Sequence, residues 1–333
     1  MNTFGALFRI SIFGESHGEC VGITIDGCPA GIPVNPEDFT ADFNRRRSGG
    51  KGTTPRREPD QPKIMTGVFN NFTTGAPLTI LFDNTDTRSR DYSLLRVTPR
   101  PGHADFTALK KFGGFEDYRG GGHFSGRLTL GLVAAGVIAK KVISPVQVSS
   151  EILEVGGKTA IDEAIDEAVE KRDSIGGIIG CTVSGVPAGL GEPFFNSMES
   201  LLAHMMFSIP AVKGVEFGSG FAAARMWGSE HNDMFISTEG KTATNHAGGI
   251  NGGITNGNDI VFRVAVKPTS SIHGKQHTIN LATGQMVDLE IEGRHDTCIA
   301  LRVPVIVEAA TAIVLADLMM VDGIVGRRPA DVQ

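Results

Sequence analysis

Arg100-Pro-Gly-His103-Ala-Asp105 and, shortly after it, Asp117-Tyr-Arg-Gly-Gly-Gly-His123-Phe-Ser125-Gly-Arg127 lead into an apolar run from Leu128 to Ile143. Leu128, Leu130, Leu132, Val133, Val137 and Ile138 leave no clear polar face before Lys140, so the pattern predicts a helix from Ser125 to Val142 enclosed on most sides. The start of such a helix, with three glycines before it, offers unpaired N–H groups and a positive dipole end to a phosphate or carboxylate. The same residues also read as a tight glycine turn capped by Ser125. That reading explains the glycines but not the basic side chains beside them.

Working outward, 333 residues with 41% hydrophobic and 20% charged side chains describe a soluble globular chain, long enough for one large domain or two smaller ones. A net charge of -6 argues against a nucleic-acid partner, yet Arg45, Arg46, Arg47, Lys51, Arg56 and Arg57 crowd one short segment, which suits a local anionic ligand. Cys20, Cys28, Cys181 and Cys298 have neither Cys-x-x-Cys nor zinc-like spacing and read as reduced thiols, with no metal expected. The start lacks a signal peptide's charged head and apolar core, so a cytoplasmic protein is expected. Val303 to Val321 is apolar but interrupted by Glu308 and Asp317, which favours a buried helix over a membrane span.

Leu7 to Phe13 reads as a strand running into Gly-Glu-Ser16-His17-Gly, with a second strand near Val21 to Ile25: a hairpin with polar groups at its tip. Helices are expected over Pro36 to Arg46, Phe106 to Phe112, Ala160 to Lys171 and Pro304 to Met320. Strands are expected near Lys63 to Phe69, Leu78 to Phe82, Val146 to Ile152, Gly176 to Val183, Val212 to Phe217, Asp259 to Val266 and Met286 to Ile291. This mixed order, with no Gly-x-Gly-x-x-Gly after an early strand, disfavours a dinucleotide fold and points to a layered α+β protein. Ser48 to Thr54 lacks the ending of a phosphate-binding P-loop. Both long apolar helices follow polar blocks containing Arg and His, a hint of internal two-fold pattern with no fixed period.

The hairpin tip cannot pair Ser16 with His17 as nucleophile and base, because neighbouring side chains on a strand point apart. His17 fits a proton donor or acceptor presented by a turn, or a plain surface turn. His103 is either such a group or a turn histidine, and Asp105 is a candidate N-cap for the helix that follows. Asp296, among basic neighbours at a buried helix entrance, is a base or half of an ion pair. Lys267-Pro268-Thr269-Ser270-Ser271 ends a strand with a lysine and hydroxyls, which suits a phosphate or simply punctuates the chain.

Taken in order, Gly-Glu-Ser-His-Gly, Arg45-Arg46-Arg47, Arg56-Arg57-Glu58-Pro59-Asp60-Gln61, Arg-Pro-Gly-His-Ala-Asp, Asp-Tyr-Arg-Gly-Gly-Gly, Ser-Gly-Val-Pro-Ala-Gly-Leu-Gly-Glu-Pro at 184–193, Lys-Pro-Thr-Ser-Ser and Arg-His-Asp-x-Cys resemble the chorismate synthase family over nearly the whole length. The resemblance implies a single catalytic domain over 1–333, a layered α+β sandwich with helices packed between antiparallel sheets, a homotetramer, and the anti-1,4-elimination of phosphate from 5-enolpyruvylshikimate 3-phosphate to give chorismate. It also implies reduced flavin mononucleotide (FMN), although the reaction has no net redox change. His17 would protonate the departing phosphate, His103 would interact with the reduced flavin, and Asp296 would help remove the C-6 proton through flavin N-5. Ser16 and Ser125 would support these groups.

By the same resemblance Arg46, Lys51, Arg100 and Arg127 would hold the substrate's phosphate and carboxylates. Flavin contacts would come from His123, Phe124, Ser125, Pro210, Ala211, Gly252, Lys267 to Ser271 and Arg294. The chain departs from the family at His123-Phe124, at Gly126 and Leu128, at Lys51 and at Thr297. The glycines at 49, 50 and 52 make the Arg45 to Arg57 loop the expected lid. The sequence leaves open whether NADPH or a separate flavin reductase supplies the reducing power. A flavin-dependent oxidoreductase and a module that only binds phosphorylated anions are the competing readings.

Overall fold

The computed structural model describes residues 1–56, 58–87, 94–291 and 295–325. Its seven α-helices are α1 (Thr40–Arg46), α2 (Asp105–Phe112), α3 (Thr129–Val142), α4 (Ile161–Glu170), α5 (Met198–Ser208), α6 (Gly228–His231) and α7 (Pro304–Val321). One antiparallel sheet orders its strands as Thr3–Phe4, Arg9–Gly14, Cys20–Asp26, Leu78–Asp83 and Lys63–Thr66. A second orders Val212–Phe217, Ile260–Val266, Gly177–Ser184 and Gln147–Val155, again antiparallel. Between them lie α3, packed on the first sheet, and α7, packed on the second. The sandwich expected from the resemblance is the architecture observed.

The reason is in the composition of the two helices. Every residue of α3 from Thr129 to Ala139 is buried, and α7 is buried from Val305 to Met319. Helices apolar on all sides must be covered on all sides. They meet closely: a Cβ built on Gly136 of α3 would stand 2.2 Å from the Cβ of Ala309 in α7. Gly131, one face round, lies against the first sheet, where an added Cβ would be 3.2 Å from the Gly22 carbonyl.

The two acids that interrupt α7 are both satisfied. Glu308 takes a two-pronged contact from Arg45 of α1 (2.7 and 2.6 Å), the Lys140 ammonium at 3.0 Å and the Ser150 amide at 3.1 Å. Asp317 receives the amides of Ala6, Leu7 and Phe8 at 2.7–2.9 Å. Buried carboxylates persist only when paired in this way. The apolar tract is therefore a core helix.

The hairpin expected around Gly14 to Gly18 is present, with Gly14 opposite Val21. The helix expected from Pro36 is a 3-10 turn (Pro36–Phe39) that passes into α1. The helix expected from Ser125 begins with a 3-10 turn (Gly126–Leu128) before α3, and α5 went unread in the sequence.

Replacing Gly136 by Ala tests the helix contact. Helix propensity favours Ala by about 1 kcal/mol, but a methyl inside the radius of Ala309 overpacks the core and costs roughly 1–3 kcal/mol. The expected result is a net loss of stability in denaturant unfolding.

Candidate functional site

The entrances of α3 and α7 open on one cleft of about 1050 Å³. Eight cationic side chains line it (Arg46, Arg47, Arg56, Arg100, Arg127, Arg302, Lys213 and Lys267), against the carboxylates Glu58, Asp60 and Asp296. A cleft with so large a positive excess in low-dielectric walls draws anions.

The glycine triad shapes one wall. Gly120, Gly121 and Gly122 hold φ of 59°, 80° and 52°, a left-handed run that only glycine adopts cheaply. A Cβ at Gly120 would fall 2.4 Å from the His17 ring, and one at Gly122 would fall 1.9 Å from the Asp117 carbonyl. What approaches the backbone at Gly120 is thus the protein's own imidazole. His17 is buried behind Gly120, while Ser16, on the same turn, lines the cleft. The Ser16 amide is bonded to the Gly122 carbonyl at 3.1 Å, which welds the hairpin tip to the triad.

His103 approaches the triad from the other side, its ring 3.6 Å from where a Gly121 Cβ would be. Asp105 is not the N-cap of α2, a place taken by Ala104; its carboxylate goes to Arg100 (2.7 Å twice) and to His103 Nδ1 (2.6 Å). Nδ1 stands between that carboxylate oxygen and Arg100 Nη2, 2.9 Å away, which fixes the ring with Nε2 turned toward the glycine triad. Burial, then repulsion from Arg100, lowers the His103 pKa against the pull of Asp105. Burial opposes ionisation of Asp105 too, but hydrogen bonds from Arg100 and His103 hold its carboxyl far below the usual range. Arg100 Nη1 also donates to the Ser271 hydroxyl at 3.1 Å. It is the clamp of this cluster rather than a free cation.

Opposite, Arg127 is paired with the buried Asp60, whose second oxygen lies 3.7 Å from Arg46. Arg46 also donates to the Gly126 carbonyl at 2.9 Å and to Thr129 at 3.2 Å. Burial and the neighbouring Arg302 bring its guanidinium down to about 9, still cationic at neutral pH. Ser125 caps the 3-10 turn by accepting from the Arg127 amide at 3.2 Å. The positive character at this helix entrance therefore comes from Arg46 and Arg127 more than from bare N–H groups. Asp296 accepts the Thr54 amide (2.9 Å) and faces Arg302 at 3.1 Å, so the ion pair is real and still borders the cleft.

Lys267 reaches the Ser270 hydroxyl at 2.8 Å, and burial together with Lys213 lowers its pKa. Ala211, in the same wall, holds a φ of 75°, an uncommon strain for a residue with a Cβ, and its carbonyl accepts the Lys267 amide at 2.9 Å. His295 Nε2 is buried in this wall without a hydrogen-bond partner, and burial, with Arg100 and His273 adding repulsion, pushes the ring down to about 4.

Some expected site residues are not brought into the cleft. Lys51 lies beyond the end of α1 and pairs with the exposed Asp166 of α4. Gly252 sits in a separate two-stranded hairpin, and Pro268 packs toward Gly176, just before the strand Gly177–Ser184. His123 borders the cleft but is already engaged, with Nδ1 donating to the Gly14 carbonyl (2.9 Å) and Nε2 3.1 Å from the Asn2 side-chain oxygen. Arg57 and Arg294 lie outside the described residues. Of the expected lid, Gly52 is held by Cys298, whose amide donates to its carbonyl at 3.0 Å, whereas nothing would meet a Cβ at Gly49 or Gly50. Among the described residues no cluster of His, Cys, Asp and Glu could hold a metal. Arg302 was not singled out by sequence, and Arg56, Glu58 and Asp60 stood there only as part of a motif with no role assigned, since only their distant partners Asp296, Ser16 and Arg127 reveal one.

A family model described as chorismate synthase matches residues 8–320. A chorismate synthase of Chitinophaga pinensis is 62% identical over 323 residues, covering 97% of this chain and 97% of its own. Those of Dehalococcoides mccartyi and Methanosarcina barkeri are 48% and 44% identical, each covering 98% of both chains. A crystal structure of chorismate synthase superposes with a TM-score of 0.73 at 27% identity, over 96% of this chain and 93% of its own. With two buried helices between antiparallel sheets, a cationic cleft at their entrances, and this agreement along its length, the chain belongs to the chorismate synthase family.

Proposed function

We propose that this cleft carries out the family's reaction with the chain's own His17, His103 and Asp296 as its working groups. As a chorismate synthase the protein is a carbon–oxygen lyase: it eliminates phosphate from 5-enolpyruvylshikimate 3-phosphate to give chorismate, the last step of the shikimate pathway in aromatic amino acid biosynthesis. The observation that carries the residue assignment is the bracketing of the glycine triad by His17, buried behind Gly120, and by His103, which lines the cation-rich cleft.

The reaction breaks the C-3–O and C-6–H bonds and forms a new double bond. Arg46 and Arg127 hold the substrate's anionic groups, with Asp60 fixing both guanidiniums. Arg100 keeps Asp105 and His103 in place. His17 gives a proton to the departing phosphate, and Asp296, anchored by Arg302 and the Thr54 amide, draws off the proton from C-6. Ser16 accepts from Arg56 at 3.0 Å and Ser125 caps the turn before α3, so both act as supports.

The cleft also fits reduced FMN. Its volume stands at the upper end for one drug-sized ligand, and Lys267 with Ser270, the strained Pro210–Ala211 turn and the partnerless His295 Nε2 form a wall that the substrate-holding arginines do not use. Thr269, Ser271 and Phe124 complete it. When bound, the reduced flavin supplies an electron-rich ring against the substrate. Free thiols at all four cysteines support a reducing, cytoplasmic setting. A homotetramer is supported by large apolar side chains left in solvent, among them Phe195, 92% exposed, Trp227, 77% exposed, Phe194, Phe221 and Phe235.

Anaerobic phosphate release, followed together with chorismate absorbance, tests the reading: product is expected with reduced FMN, in many turnovers per flavin, and none with oxidised FMN. His17→Ala and Asp296→Asn should each lower kcat by about 10²-fold or more while FMN still binds; full elimination in both would end this assignment. Lys51→Ala should leave KM for the substrate close to wild type, whereas Arg127→Ala should raise it by more than roughly tenfold. Glu at both Phe195 and Trp227 should lower the mass seen in sedimentation, and an unchanged tetramer would remove that surface from the interface.

A further inference from the structure

Asn84 lies outside the cleft lining, at the end of the strand Leu78–Asp83, and makes four hydrogen bonds that converge on the site. Its side-chain nitrogen donates to the carbonyls of Glu15 and Gly18, both at 2.9 Å. Its side-chain oxygen accepts from Arg127 Nε at 3.0 Å. Its own amide donates to the Glu19 carbonyl at 3.1 Å. Glu15 and Gly18 are the first and last residues of the turn that carries Ser16 and His17, a turn already closed by the Gly18 amide on the Glu15 carbonyl at 3.1 Å.

The chemistry fixes which way this amide points. Two carbonyl oxygens can be met only by the NH₂ end, and a guanidinium only by the oxygen end. Among side chains of this length, only asparagine offers both. An aspartate would set a carboxylate against two carbonyls while still serving Arg127. An alanine would leave both sides unmet.

We infer that Asn84 is a positioning residue for the elimination: it ties the turn carrying His17 to the substrate-holding Arg127, so that the proton donor and the bound substrate keep one fixed relation. The inference rests on the assignment of His17 as proton donor. Displacing a proton donor by a fraction of an ångström lowers turnover more than it weakens ground-state binding.

The test is the steady-state kinetics of Asn84→Asp, Asn84→Ala, His17→Ala and the double variant His17→Ala/Asn84→Asp with reduced FMN, each variant first checked by thermal unfolding. Asn84→Asp should lower kcat roughly ten- to a hundredfold with little change in KM, because Arg127 keeps an acceptor. Asn84→Ala should lower kcat and also raise KM, and it keeps the proposal testable if the aspartate variant does not fold. The double variant should lose no more than His17→Ala alone. Multiplied losses in the double variant, or an Asn84→Asp effect on KM only, would overturn the inference while the His17 assignment stands. Full activity in His17→Ala would instead bring down the assignment and the inference with it.

Discussion

The contact between Gly136 and Ala309 sets the dimensions of the molecule. Two helices apolar on every face can be buried together only if they approach to backbone contact, and a glycine at that crossing allows it. Once they do, each has one flank left, and each flank takes a sheet. The layering follows from the need to cover apolar surface, with little contribution from local preference in the strands. Because both helix entrances border the same cleft, the most rigid part of the core also carries the site.

The polar groups sort by this frame. Arg45, Arg46 and Arg47 are consecutive, yet they divide between two carboxylates, Glu308 and Asp60. Arg45 turns into the core to Glu308, Arg46 reaches the α3 entrance near Asp60, and Arg47 lies 3.9 Å from the same Asp60 at the rim. A single buried aspartate at a φ of 49° thus organises the cationic side of the cleft. Such buried pairs add little net stability, since desolvation offsets their attraction, but removing one partner leaves the other uncompensated. Their value here is that the guanidiniums are already oriented before a ligand arrives, as preorganised electrostatics requires.

Much of this was legible in the chain. The apolar runs at 128–143 and 303–321 identify the two core helices, and the polar blocks before them mark the cleft. The strands Val212–Phe217 and Ile260–Val266 stand where alternation puts them, give or take a residue. Sheet order was not legible, because antiparallel pairing between distant strands such as Ile260–Val266 and Gly177–Ser184 leaves no local trace. The site was half visible for a similar reason. His17, His103 and Asp296 stand out by chemistry, but Asp105 could pass for a cap until Arg100 and His103 were seen around it. Lys51 looked equivalent to Arg46, yet α1 ends at Arg46 and the chain carries the lysine away to Asp166.

Asp317 has a consequence for how the molecule comes into being. The amides of Ala6, Leu7 and Phe8 wait for a carboxylate 309 to 311 residues further along. During synthesis these three amides therefore have no partner until α7 has emerged, whereas the hairpin tip that bears His17 can close earlier on Asn84 and Gly122. Contacts of such sequence separation close late and slowly. The nascent chain can cover its first sheet as soon as α3 is made, yet the amides at the entrance to that sheet stay unmatched until α7 arrives, an exposure in which chaperones have most to offer.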